Sequence, residues 1–106
     1  MAVAELERRG YEILARRYRT RYGEIDIVAR DGDSTVFVEV KARATREFGA
    51  AAEAVTRRKQ LKLAAMARDY LARNDLADTA CRFDVVTIDD AAISPLLAVY
   101  ADAFQL

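Results

Sequence analysis

Asp26, in the run Gly-Glu-Ile-Asp-Ile-Val, and the triplet Glu39-Val40-Lys41 farther along have the residue types that metal-assisted phosphate chemistry uses. Oxygen donors without histidine or thiolate neighbours favour a hard divalent ion, Mg²⁺ or Mn²⁺, over zinc. Such an ion polarises a phosphodiester and lowers the pKa of a bound water, which supplies a nucleophile without histidine. Lys41 is placed to orient that water or to offset charge building on the phosphate. The composition excludes several other chemistries. With no His and one Cys, Cys–His and Ser–His–Asp catalysis, His-ligated zinc and an internal disulfide are all ruled out.

These side chains can act together only if the chain between them is a hairpin. Glu24 to Val28 and Thr35 to Lys41 alternate polar with β-branched or aromatic residues, as half-buried strands do, and Asp31-Gly32-Asp33-Ser34 separates them. Gly32 at the first central position of a two-residue loop suits a type II′ turn. Counting outward from that loop pairs Asp26 with Glu39 and Glu24 with Lys41. Because residues two apart on a strand share a face, this register expects Glu24, Asp26, Glu39 and Lys41 on one side. Ile25, Ile27, Val38 and Val40 are then expected on the other side, in the core. Directly opposed carboxylates have Cβ atoms about 4.5–5.5 Å apart and repel, a cost that a bound cation removes. The same spacing also describes a surface hairpin in which Glu24–Lys41 and Glu39–Lys41 pairs merely balance charge.

The remaining elements frame the hairpin. Ala2 to Arg9 reads as a short helix stopped by Gly10, and Tyr11 to Thr20 as a strand. The helix is expected to be truncated at its start. Thr45 to Val55 reads as an irregular connection holding Phe48 and Gly49. Thr56 then suits the N-cap of a helix from Arg57 to about Arg73, with Asn74 at C′ and Leu61, Ala64, Ala65 and Leu71 facing the sheet. Cys81 to Ile88 reads as a strand. The segment after Pro95 is ambiguous between an edge strand and a helical turn.

At 106 residues, 53% hydrophobic and 32% charged, the chain is expected to form one folded domain spanning residues 1–106. Its apolar runs are far shorter than a bilayer needs and no basic-then-apolar leader opens it, so no membrane partner is expected and the expected location is the cytoplasm. Net charge is zero but unevenly spread: residues 1–73 carry 16 of the 17 basic residues, and residues 74–106 carry only Arg82 against six acids. A local basic face can attract a polyanion even on a neutral protein. An ordinary solvated surface is the plainer reading of the same charges.

The run GEIDIVARDGDSTVFVEVKAR, Gly23 to Arg43, carries a resemblance. With Gly10-Tyr11, Ile13-Leu14, Phe48-Gly49, Ala54-Val55, Arg58-Lys59-Gln60 and Arg82-Phe83-Asp84-Val85, it resembles the uncharacterised bacterial YraN-type family over nearly the whole chain. That family is similar in fold to restriction endonucleases and Holliday-junction resolvases of the PD-(D/E)xK superfamily. The resemblance implies an α/β, restriction-endonuclease-like domain: a mixed β-sheet flanked by helices. It implies Asp26, Glu39 and Lys41 as the catalytic set, with Asp26, Glu39 and the Val40 carbonyl as ligands of Mg²⁺ or Mn²⁺. It also implies a Gly-Glu pair in the first helix, ahead of this chain's first residue, and an Asn where Arg17 stands.

Arg19, Arg21, Arg43, Arg57, Arg58, Lys59, Gln60 and Lys62 border the hairpin in sequence and are the expected nucleic-acid contacts, with DNA ahead of RNA. Tyr18 and Tyr22, interleaved with arginines, suit base stacking or rim packing. Arg82 and Asp84 share a strand face and suit an internal ion pair; Phe37, Phe83 and Tyr70 suit the core. The leading expectation is a metal-dependent nuclease acting on DNA, branched or structured forms included. The alternatives are a catalytically silent nucleic-acid-binding module of the same fold, and a protein-binding domain using its acidic C-terminal part. A homodimer is compatible with either.

Overall fold

The computed structural model describes residues 2–43, 55–89 and 96–104. The expected connection Thr45 to Val55 lies outside the described residues except for Val55, which is buried. In order along the chain come helix α1 (Ala2–Arg8), strands β1 (Glu12–Thr20), β2 (Gly23–Asp31) and β3 (Ser34–Arg43), helix α2 (Arg57–Arg73), and strands β4 (Cys81–Asp89) and β5 (Leu96–Phe104). The strands form one sheet in the order β1-β2-β3-β4-β5. All neighbours are antiparallel except β3 and β4, so the sheet is mixed. The parallel pair requires a crossover, and α2 lies within it. The segment after Pro95 is an edge strand.

Helices lie against both faces. One cluster joins Leu63, Met66, Ala67, Tyr70 and Leu71 of α2 to Ile25, Val28, Phe37, Phe83, Val85 and Phe104 of the sheet. The other joins Ala2 and Leu6 of α1 to Tyr11, Ile27, Ala29, Val36, Val38 and Val86. Phe37 is the largest fully buried side chain, with rings of Tyr70 and Phe83 at 5.9 and 5.7 Å. The buried stripe of α2 is one step away from the expected one. Ala64 and Leu71 are buried as expected, but Ala65 is half-buried and Leu61 is 52% exposed. Steps of three and four from Leu63 through Met66, Ala67 and Tyr70 define a stripe that excludes Leu61.

Local signals set the element ends. The Thr56 hydroxyl accepts from the Lys59 N–H at 3.2 Å and caps α2. At the other end Asn74 has φ −107°, and Asp75, at φ 58°, takes the left-handed conformation expected of Asn74. Between β2 and β3, Gly32 has φ 61° while Asp33 is absent from the positive-φ residues, the signature of a type II′ turn.

From that turn the expected register runs outward from Asp31↔Ser34 to Ile27↔Val38, where the ladder ends. Asp26 and Glu39 are therefore not a ladder pair, nor are Glu24 and Lys41. The reason lies in β1, which pairs Arg16 with Ile27 and Tyr18 with Ile25. Between them Arg17 sits at φ 54°, and the paired strands turn over. Ile27 packs with the α1 cluster and Ile25, two residues earlier, with the α2 cluster. Two-residue alternation cannot hold across such a kink. Ile25, Ile27, Val38 and Val40 thus do not share one face, and β2 parts from β3 at Asp26.

Candidate functional site

The parting of β2 and β3 leaves an opening, and the Asp26 carboxylate lies in it. Its Oδ2 accepts the backbone N–H of Val40 at 2.8 Å, doing with a side chain what the ended ladder no longer does. On a strand, a residue's N–H and C=O point toward the same neighbour. The Val40 carbonyl is therefore directed to the same opening as Asp26. On the α1 side, Asp26 and Glu24 help line a cleft of about 380 Å³ together with Arg16, Arg17 and Val40.

Glu39 faces the other way, toward α2. It is buried, next to Val85 in the β3–β4 register. Two lysines reach its Oε1: Lys59 of α2 at 3.4 Å and Lys41 at 3.8 Å. Its Oε2 is buried with no hydrogen-bond partner among the described residues. Burial pushes the Glu39 carboxyl above its ordinary pKa, and the charge of nearby Asp26 pushes it further, against the opposing pull of Lys59 and Lys41. Asp26 and Glu39 are thus electrostatic neighbours through the strand opening, though not on one face.

The donors present suit a hard, partly hydrated cation. No cluster of three or more Cys, Asp or Glu residues occurs among the described residues, so an all-protein cage of the calcium or zinc type is not what they build. Mg²⁺ needs less: it keeps several waters and is commonly held by one or two carboxylates. Asp26, Glu39 and the Val40 carbonyl offer oxygens of that kind, with Lys41 and Lys59 beside Glu39.

The expected nucleic-acid contacts divide into groups. Arg57, Arg58 and Lys62 are exposed on α2, and Arg58 and Lys62, four apart, share a face beside that of Lys59. Gln60 is committed to the backbone, its amide nitrogen donating to the Val55 carbonyl at 2.9 Å. Arg19 is exposed and pairs with Glu24 at 3.5 Å, while Arg17 pairs with the same carboxylate at 3.0 Å. Arg21 lies over the Tyr22 ring, 5.0 Å from its centroid. Arg43 ends β3, and its side chain lies outside the described part of the structure.

Two contributions are not legible in the residue pattern. The charge pattern puts Lys59 among the surface phosphate contacts, while the resemblance implies a polar residue near the site at Lys59 or Gln60; Lys59 is the cation nearer to Glu39. The other is Tyr11. The expected Arg82–Asp84 pair forms at 3.0 Å, and Asp84 is fully buried. It also accepts from the Tyr11 hydroxyl at 2.7 Å and the Asp102 N–H at 2.8 Å, and Arg82 reaches on to Asp31 at 2.8 Å. This network ties Tyr11, just ahead of β1, and Asp31 of β2 to β4 and β5. Among the described residues no helix is long and apolar enough to cross a membrane.

The sequence of residues 1–88 matches the model of an uncharacterised protein family, UPF0102. A UPF0102 protein of Geobacter metallireducens is 44% identical over 106 residues, covering 100% of this chain and 87% of the relative. One from Roseiflexus castenholzii is 52% identical over 89 residues, 83% of this chain and 72% of the relative. A third, from Symbiobacterium thermophilum, is 52% identical over 80 residues, 76% of this chain and 68% of the relative. With a family model covering most of its length and full-length similarity of this order, the chain belongs to the UPF0102 family, the YraN-type family its motifs resemble.

Proposed function

We propose that the protein is a metal-dependent nuclease of the restriction-endonuclease-like kind, hydrolysing phosphodiester bonds in cytoplasmic DNA. The observation that carries this reading is Glu39: a buried carboxylate, one oxygen of which has no hydrogen-bond partner among the described residues, within electrostatic reach of Asp26 where two strands part. A fold gains nothing from such a group by itself, because a buried acceptor without a partner costs about 1–3 kcal/mol. A cation bound there would satisfy it.

In this reading Asp26, Glu39 and the Val40 carbonyl hold Mg²⁺ or Mn²⁺, which when bound supplies Lewis acidity and a more acidic water. The Val40 N–H holds the Asp26 carboxylate through Oδ2. Lys41 and Lys59 stand beside Glu39, where their charge can offset that developing on a phosphate. Arg57, Arg58 and Lys62 extend the positive surface along α2 and would hold flanking phosphates without reading sequence.

One observation favours a silent DNA-binding module instead. Lys59 approaches Glu39 more closely than Lys41 does, so two lysines already neutralise that carboxylate. The deciding experiment incubates linear, flapped and four-way-junction DNA with the protein in Mg²⁺, Mn²⁺ or EDTA. Cleavage in metal that is lost in Asp26→Asn, Glu39→Gln and Lys41→Ala is the expected result. Metal-independent binding without cleavage of any substrate by the wild type would establish the silent module.

A further inference from the structure

A second cleft lies away from Asp26 and Glu39, between the tip of the β1–β2 hairpin and the outer half of α2. Its volume is about 670 Å³, and its walls include Arg19, Arg21, Arg68, Arg73, Tyr22 and Asp69. Four guanidinium groups thus face a single carboxylate. That carboxylate is already used: Asp69 accepts the Tyr18 hydroxyl at 2.8 Å and pairs with Arg73 at 3.1 Å. Arg68 has no ion-pair or hydrogen-bond partner among the described residues and is exposed. Arg19 is paired with Glu24 and Arg73 with Asp69, so Arg21 and Arg68 are the two guanidinium groups here without an acidic partner among the described residues. Positive charge left over on a concave surface is relieved by an anion of matching shape.

The cleft is also stiff. Tyr18 packs edge-on against Tyr70 with ring centroids 5.1 Å apart, fixing β1 to α2. At the tip, the Thr20 hydroxyl accepts the Tyr22 N–H at 3.0 Å. Gly23 has φ 138°, and a Cβ there would lie 3.6 Å from the Met66 sulfur, so the turn sits directly on α2. Tyr22 is consequently presented by a pinned turn, 43% exposed, with the Arg21 guanidinium over its ring. An exposed aromatic face held rigidly among arginines is the arrangement that stacks an unpaired base while its phosphates are gripped.

We propose that this cleft binds unpaired nucleotides of a nucleic-acid strand, with a base stacked on Tyr22 and phosphates held by Arg68, Arg73 and Arg19. Its volume falls in the range of roughly 300–1,000 Å³ that encloses a small ligand, enough for a nucleotide or two. A base paired within a duplex also offers no free face to Tyr22. The α2 axis from Lys59 to Arg68 spans about 14 Å at roughly 1.5 Å per residue. A single strand leaving the cleft therefore reaches Glu39 within a few nucleotides, a connection that rests on the nuclease reading. Binding in the cleft does not.

The test measures anisotropy of labelled oligo(dT) and of a blunt duplex of equal length with the full chain in EDTA, beside the Mn²⁺-induced thermal shift. The expected result is tighter binding of the single strand. Tyr22→Ala should weaken it about 5- to 150-fold, the span of base-stacking contributions, and Tyr22→Phe should leave it unchanged. Arg68→Ala should lower the slope of log affinity against log salt by about 0.7, the share of one phosphate on a single strand. All three variants should keep the wild-type Mn²⁺ response, because none touches Asp26 or Glu39. Equal binding of oligo(dT) by wild type and Tyr22→Ala overturns the proposal, as does preference for the duplex or equally strong competition by polyglutamate. Loss of Mn²⁺ response in the wild type, with oligo(dT) binding intact, would count against the nuclease reading alone.

Discussion

Replacing Glu39 by Gln should make the metal-free protein more stable and the metal-loaded protein less stable than wild type. The opposing contributions can be compared. The orphaned, buried Oε2 costs about 1–3 kcal/mol. Against it stand the pairs with Lys59 and Lys41, whose side chains are 41% and 33% exposed. Partly solvated pairs of this kind contribute about 0–1 kcal/mol each. An amide keeps a polar atom at that position but sheds its charge, so the net gain is at most about 1 kcal/mol, or roughly 4–8 °C in Tm for a domain near this size. Metal reverses the order. At Mn²⁺ a hundredfold above its Kd, the wild type gains about 2.7 kcal/mol, and Glu39→Gln, lacking a charged ligand, should gain little. The effect also has a pH signature. The Glu39 pKa is raised in the folded state, so the folded protein holds its proton more tightly than the unfolded chain does. The resulting stabilisation is complete below the unfolded Glu pKa and is lost as pH rises through the higher folded value. The stability difference between wild type and Glu39→Gln should thus be small in acid and open as pH rises through that interval. Differential scanning calorimetry across pH, in EDTA and in Mn²⁺, measures both. A metal-free Glu39→Gln less stable than wild type at neutral pH would refute the argument, since the lysine pairs would then outweigh the buried orphan.

Asp26→Asn should abolish the Mn²⁺-induced shift with little change in metal-free Tm, because the amide oxygen still accepts the Val40 N–H; a large metal-free loss would mean the carboxylate is mainly structural. Asp84→Ala should cost about 3–5 kcal/mol in urea unfolding, since Arg82, Tyr11 and the Asp102 N–H all lose a buried partner. Phe37→Ala should cost about 3–5 kcal/mol in the same assay, from the cavity left between Tyr70 and Phe83. Replacing Arg57, Arg58 and Lys62 together by Ala should flatten the salt dependence of duplex binding by about 0.9 for each phosphate no longer neutralised; an unchanged slope would exclude this helix face from the DNA surface.

Features with short-range causes are readable in the sequence. A two-residue loop with Gly at its first position defines both the turn and the register of the five pairs beyond it. Thr56 marks the start of α2 because its hydroxyl has one orphan N–H to satisfy. Alternation within β4 puts Arg82 and Asp84 on one face and so makes them a pair. What escapes depends on partners far along the chain. The turnover at Arg17 breaks strand parity, and a left-handed arginine has no compositional signature, so simple alternation places Asp26 and Glu39 on one face when they are not. Tyr11 meets Asp84 across the sheet, and no local pattern announces the meeting. On α2, Leu61 fits an apolar stripe as well as Leu63 does until the sheet is present to choose between them.

Among the described residues β1 and β5 are the end strands of the sheet, and each carries the same kind of interruption. In β1 the register slips between Ile13 and Ala15 and Arg17 is left-handed; in β5 it slips opposite Phe83 and Val85, and Asp102 has φ 52°. The kink in β5 turns the Asp102 N–H inward to the buried Asp84 carboxylate, away from the strand's free edge. A broken edge cannot template the regular addition of another strand. A second copy could continue the ladder only by straightening β1 or β5, and in β5 that would strip a hydrogen bond from Asp84. The irregularities that obscure the sequence pattern are therefore of the kind that opposes regular edge-to-edge addition of strands.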